Sequence, residues 1–231
     1  MSQVLNLIKN KLLLDSFYIP TLDKEVKGST FTINQYNNLL EISAEDNETK
    51  KLNYVLYTDD IIKSNLESIE GISYYDKVFI LLQMKLSQSL ELFGVNNEKY
   101  KETLRNRCKE QGETTFKTNY TYNGISIELG HNNLKRSIEL NQQILVSEDI
   151  EVSNLLTSEI IRSITKIEFD GSEVDLNDIK PDELISSLPA SFMETFNKFN
   201  ATVADNIIGL NKFVYRNEEI SLYPSLDIML L

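Results

Sequence analysis

The stretch Tyr74–Phe93, YYDKVFILLQMKLSQSLELF, constrains this chain more than any other. Placed on a helix, Tyr75, Val78, Phe79, Leu82, Leu86 and Phe93 share one face. Ile80, Leu81, Met84 and Leu92 lie off that face, so the helix is apolar well beyond a single stripe. A helix of this kind is buried on two sides. Its second face therefore meets either the rest of its own domain or another chain. Ser73 is placed to cap its start, and Gly94 to end it.

The residues before it read as hairpin and helices. Residues 3–13 carry Val4, Leu5, Ile8 and Leu12 on one side of an amphipathic helix. Phe17 to Ile19, then Pro20, suggest a strand ending in a turn, and Val26 to Ile33 the returning strand. Thr32 is an N-cap for a helix over Ile33–Ala44, with Tyr36, Leu39 and Leu40 as its apolar stripe. Glu48–Tyr57 and Asp60–Ser68 read as two further helices, the second capped by Thr58 or Asp59.

Beyond Gly94, Lys99–Glu110 reads as a polar helix. Thr114–Tyr122 and Ile125–Leu129 flank Asn123-Gly124, the strongest short hairpin signal. Ser137–Leu140 and Gln143–Val146 read as two more strands. Val152–Ser163 is a helix; Ile164–Phe169, Asp170-Gly171 and Val174 form a strand, turn and return. Pro181 opens a helix, Ala190–Asn200 forms another, and Phe213–Tyr215 with Ile220–Leu222 make a last hairpin around Asn217. The expected class is α+β, mostly helical with small antiparallel β-hairpins. The expected parts are an N-terminal hairpin and helical part (1–95), a β-rich insert (96–150) and a C-terminal α+β part (151–231) packed with the first as one unit.

Composition limits the chemistry. At 41% hydrophobic and 25% charged residues, the chain is ordinary globular protein. Its net charge of −12 repels phosphate backbones, so no nucleic-acid partner is expected. The N-terminus is too interrupted by Lys9, Asn10 and Lys11 for a signal peptide or a membrane span. With one cysteine, Cys108, no intrachain disulfide forms, and the sequons at Asn47 and Asn119 carry no weight in the reducing compartment this implies. One cysteine and one histidine, His131, cannot fill a tetrahedral zinc site. No phosphate-binding glycine motif occurs. The acidic run 169–178, FDGSEVDLND, lacks the ligand order of a calcium loop. Asp59-Asp60 fits capping better than a catalytic carboxylate pair. Arg105, Arg107 and Lys109 surround Cys108 and would lower its thiol pKa if they faced it. With Lys99 and Lys101 they form the one concentration of positive charge. No catalytic residue, cofactor or metal is expected, and no enzyme.

The order of elements resembles the baseplate hub subunit family of T-even-like contractile-tailed bacteriophages. YIPTLDKEVKGSTFTINQYNNLLEISA (18–44) is similar to the family's Pro-containing hairpin and first helix, with Phe31-Thr32, Leu39, Leu40 and Ala44 in the motif positions. YYDKVFILLQMKLSQS (74–89) matches its apolar helix at Asp76, Phe79, Leu82 and Ser87, with Lys85 where the family tends to have Arg. SITKIEFDGSEVDLNDIKPDELISSLPASFMETFNKF (163–199) is similar to its strand, acidic turn and helix pair. The likeness covers roughly two thirds of the chain. Relatives carry CxxC pairs that suggest zinc ribbons. Here Cys108 stands alone in 105–116, so the resemblance implies a zinc-ribbon-like β region lacking metal ligands.

The resemblance implies a structural or assembly protein of a tail baseplate hub, acting through protein–protein contacts with other baseplate and tail proteins. It would work in the host cytoplasm during assembly and, as a structural part, stay in the virion. The alternatives are a non-virion tail-assembly chaperone and an unrelated acidic binding or adaptor protein. Ile80, Leu81 and Met84 on the second helix face, and Leu226, Ile228 and Leu230 in the apolar tail, are the candidate partner contacts.

Overall fold

The computed structural model describes residues 14–45, 50–89, 91–111, 117–130, 133–145, 152–176 and 179–230. The helix expected over 3–13 and His131 lie outside these residues.

Strands β1 (Leu14–Ile19) and β2 (Lys24–Ser29) pair antiparallel around a 3-10 turn at Pro20–Leu22. Helix α1 (Ile33–Ala44) starts with a capping box: Gln35 N–H donates to Thr32 Oγ1 at 3.2 Å, and Thr32 N–H to Gln35 Oε1 at 2.9 Å. Helix α2 runs unbroken over Lys50–Asn65, where two helices were expected. Neither proposed cap is free to interrupt it. The Thr58 hydroxyl donates back to the Tyr54 and Val55 carbonyls, and Asp59 faces inward to Lys77.

The apolar helix is shorter than its pattern. A Ser73-capped 3-10 turn, Tyr74–Asp76, leads into α3 (Lys77–Gln88). Ser89 is extended, and Leu92 and Val95 exchange backbone hydrogen bonds of 2.8 and 3.0 Å around Phe93-Gly94. Both central residues have positive φ, 51° and 73°, as a two-residue primed turn demands. The helix therefore ends before the glycine that was read as its stop.

Helix α4 (Asn97–Gln111) precedes β3 (Thr118–Tyr122) and β4 (Ile125–Leu129), joined at Asn123-Gly124 as expected. The two strands expected within 135–147 are instead one helix, α5 (Leu134–Leu145). Leu134, Ser137, Ile138 and Asn141 are buried, a spacing of i, i+3, i+4 and i+7 that only a helix satisfies. Helix α6 (Val152–Ser163) leads to β5 (Ile164–Phe169) and β6 (Ser172–Val174). Helices α7 (Pro181–Ser187) and α8 (Phe192–Leu210), the hairpin β7 (Lys212–Tyr215) and β8 (Glu218–Ser221), and helix α9 (Leu226–Leu230) complete the chain.

The two central hairpins merge. β4 pairs with β5, making a four-stranded antiparallel sheet in the order β3-β4-β5-β6. Hydrogen bonds thus cross residue 150, where a boundary was expected, and the 96–150 segment holds two helices beside its hairpin.

The core forms two clusters with α3 between them. Phe79, Leu82 and Leu86 face the larger cluster with the sheet, α4 and α8, including Tyr100, Ile127, Phe192 and Phe196. Ile80, Leu81 and Met84 face the smaller one with Phe17, Leu39, Ile61, Ile62 and Ile138. Each fully buried side chain of this size contributes about 1.5–3 kcal/mol.

Candidate functional site

The expected partner contacts on α3 are core residues. Ile80 and Met84 are fully buried and Leu81 is 2% exposed, covered by β1, α1, α2 and α5 of the same chain. The second apolar face is therefore satisfied internally, which corrects its assignment to a partner. The tail divides differently. Leu226 opens α9, Ile228 packs half-buried on the larger cluster, and Leu230 on the smaller, where Met229 is buried. Tyr36 Oη donates to the Leu230 carbonyl at 2.9 Å and Tyr54 Oη to that of Pro224. The tail is a strap across the chain's own helices.

The buried polar residues tie elements together. Asp59 Oδ1 meets Lys77 Nζ at 2.5 Å, and its Oδ2 accepts from Asn141 Nδ2 at 2.8 Å. Asn141 Oδ1 accepts from Ser158 Oγ, and Arg162 lies 4.5 Å over the Tyr74 ring. Burial opposes the charge on Lys77, yet Tyr74 and Asp59 outweigh it and raise its pKa. This knot joins α2, α3, α5 and α6. Asp76 accepts from Thr21 N–H at 3.1 Å, Ser73 N–H at 3.0 Å and the Thr21 hydroxyl. Burial still pushes its carboxyl up to about 6. Gln83, fully buried, accepts from Tyr18 N–H at 2.7 Å and donates to the Tyr18 carbonyl at 2.9 Å, completing β1 from the side.

The basic cluster on α4 is spread around the helix. Lys99 Nζ donates to the Gly94 carbonyl at 3.1 Å, and Lys101 lies buried 3.6 Å from Asp15 and Glu98. Arg105 pairs with Glu25 and covers the Tyr18 ring. Arg107 donates to the Leu210 carbonyl at 2.8 Å, a cation at the C-terminus of α8 where the helix dipole favours it. Lys109 is exposed. These cations do not activate Cys108: burial, then Asp76 and Asp23, push its thiol up to about 11.

Among the described residues no group of three or more His, Cys, Asp or Glu side chains is arranged to hold a metal ion, and no helix is long and apolar enough to cross a membrane. A cavity of about 300 Å³ is lined by Arg136, Glu139 and Lys180 together with Ile161, Ile164 and Leu184.

The surface that stands out was not singled out from the sequence. Tyr122, Ile125 and Phe169 are direct neighbours across β3, β4 and β5, on the face that carries the core row Tyr120, Ile127 and Ile167 one step in. They are 50%, 37% and 53% exposed. With Tyr120, Ile127 and Ile167 they line the floor of an apolar groove of about 380 Å³, with α7 as wall. Among the described residues, Glu183 is the one charged side chain lining it. The alternation and the two turns foretell hairpins ending at Tyr122, Ile125 and Phe169. Only the β4–β5 pairing brings the three together.

No family model, curated protein or solved structure matches the chain.

Proposed function

We propose that this chain works by protein–protein contact, as a structural or assembly protein of a contractile-tail baseplate hub. The exposed Tyr122–Ile125–Phe169 row carries the contact reading. Aligned apolar side chains lining an apolar groove are the signature of an interaction surface. The buried charges support it too: Asp59, Lys77 and Asp76 are committed to joining helices and turns. The assignment to a tail hub rests on the motif order over 18–44, 74–89 and 163–199. Of its apolar positions, Leu39, Phe79 and Leu82 are fully buried, whereas Leu40 is 42% exposed and Ala44 is exposed on the surface of α1.

Mass spectrometry of purified tails and of tail-assembly intermediates tests the assignment. Presence in mature tails supports a structural part, and presence in intermediates alone supports a chaperone that leaves. Absence from both sinks the hub reading. It would favour an acidic adaptor unrelated to tails, for which the net charge of −12 speaks.

A further inference from the structure

We infer that the groove between α7 and the sheet takes a basic amphipathic helix from a partner protein. This rests on the contact reading above and specifies the partner's chemistry. Helix α7 spans only Pro181–Ser187, and among the described residues no helix covers the half-exposed Tyr122–Ile125–Phe169 row. A helix laid alongside α7 would cover that row and reach Leu184 and Leu188, as helices pack side by side on one sheet face.

Charge selects the kind of helix. Asp170 stands at the β5–β6 turn next to Phe169, its carboxylate folded over Gly124. Glu183, on α7, lines the groove itself. Its pair with Lys180, 3.1 Å apart, has both side chains at least two-thirds exposed and opens at little cost. A chain of net charge −12 adds a long-range field of the same sign. A second copy of this chain would bring the same acids against one another, which disfavours self-association through this face. A helix with leucines on one face and lysines flanking them matches both features.

The test uses the full chain with two synthetic helical peptides, both with leucine at i, i+3, i+4 and i+7, one with lysine and one with glutamate elsewhere. The methyl NMR signals of Ile125, Leu184 and Leu188 should shift with the lysine peptide. The glutamate peptide should bind at least about tenfold more weakly. Phe169→Ser and Tyr122→Ser, both at exposed positions, should each weaken binding by a similar factor without lowering the melting temperature. Glu183→Lys should narrow the preference for the lysine peptide. The inference is overturned if these methyls do not respond at about 1 mM lysine peptide, a concentration that reveals even the weakest specific association. It is equally overturned if both peptides bind alike, or if sedimentation finds a dimer that Phe169→Ser dissociates. A chain that binds the peptide here yet is missing from tails and intermediates refutes the hub reading alone. A chain present in tails whose methyls stay still refutes the groove alone.

Discussion

At the scale of single residues, the protonation of Asp76 is coupled to folding. Its carboxyl titrates at about 6 in the fold against an ordinary 3.8, because burial outweighs three donated hydrogen bonds. The folded state then holds its proton while the unfolded chain has lost it. Stability from this group is full below the ordinary value, declines as pH rises from about 4 to 6, and levels off above. A shift of this size corresponds to about 3 kcal/mol. Urea unfolding of the wild-type chain and Asp76→Asn across pH 4 to 7 checks it. The wild-type advantage should shrink as pH rises, and a constant difference would refute the assignment. Met84 makes a second case. Met84→Ala should cost about 2–5 kcal/mol in the isolated chain, since a cavity opens in the smaller cluster. Met84→Glu should abolish folding with no partner present. A well-folded Met84→Glu chain would return this face to the surface.

At the scale of elements, the Asp59–Lys77 pair fastens helices that local sequence does not specify. Asp59→Leu alone leaves a buried ammonium ion without its partner, and about 3–5 kcal/mol should be lost. Asp59→Leu with Lys77→Met should recover most of that, as measured by chemical denaturation. If the double variant is as unstable as the sum of the singles, the pair is not the link. What was legible follows the same division. The Thr32 cap, the Asn123-Gly124 and Asp170-Gly171 turns and Pro181 are local signals, and the elements beside them formed where expected. Residues 134–145 were misread because their buried positions include Ser137 and Asn141, polar side chains that mask the helical stripe. The Asp59 knot likewise hides in sequence: Asp59 and Asn141 meet only once α2 and α5 pack. The apolar row hides for the same reason, since β4 and β5 lie on opposite sides of α5 and α6 in the chain.

At the scale of the whole molecule, α3 decides whether the two clusters behave as one. Its residues alternate between them, Phe79 and Leu82 toward the sheet and α8, Ile80, Leu81 and Met84 toward α1, α2 and α5. A helix of twelve residues cannot keep its structure when one flank dissolves, because an isolated helix of that length is marginal in water. Loss of the smaller cluster therefore removes the floor beneath the larger one. The tail reinforces this, with Ile228 in one cluster and Met229 in the other. Hydrogen exchange on the Met84→Ala chain measures the coupling. Backbone amides around Phe196 and Phe199 in α8 belong wholly to the larger cluster. In a single cooperative unit their protection should fall by the same free energy as that of amides around Ile61 in α2. Unchanged protection in α8, with loss confined to α1 and α2, would instead divide the chain into two independently stable halves.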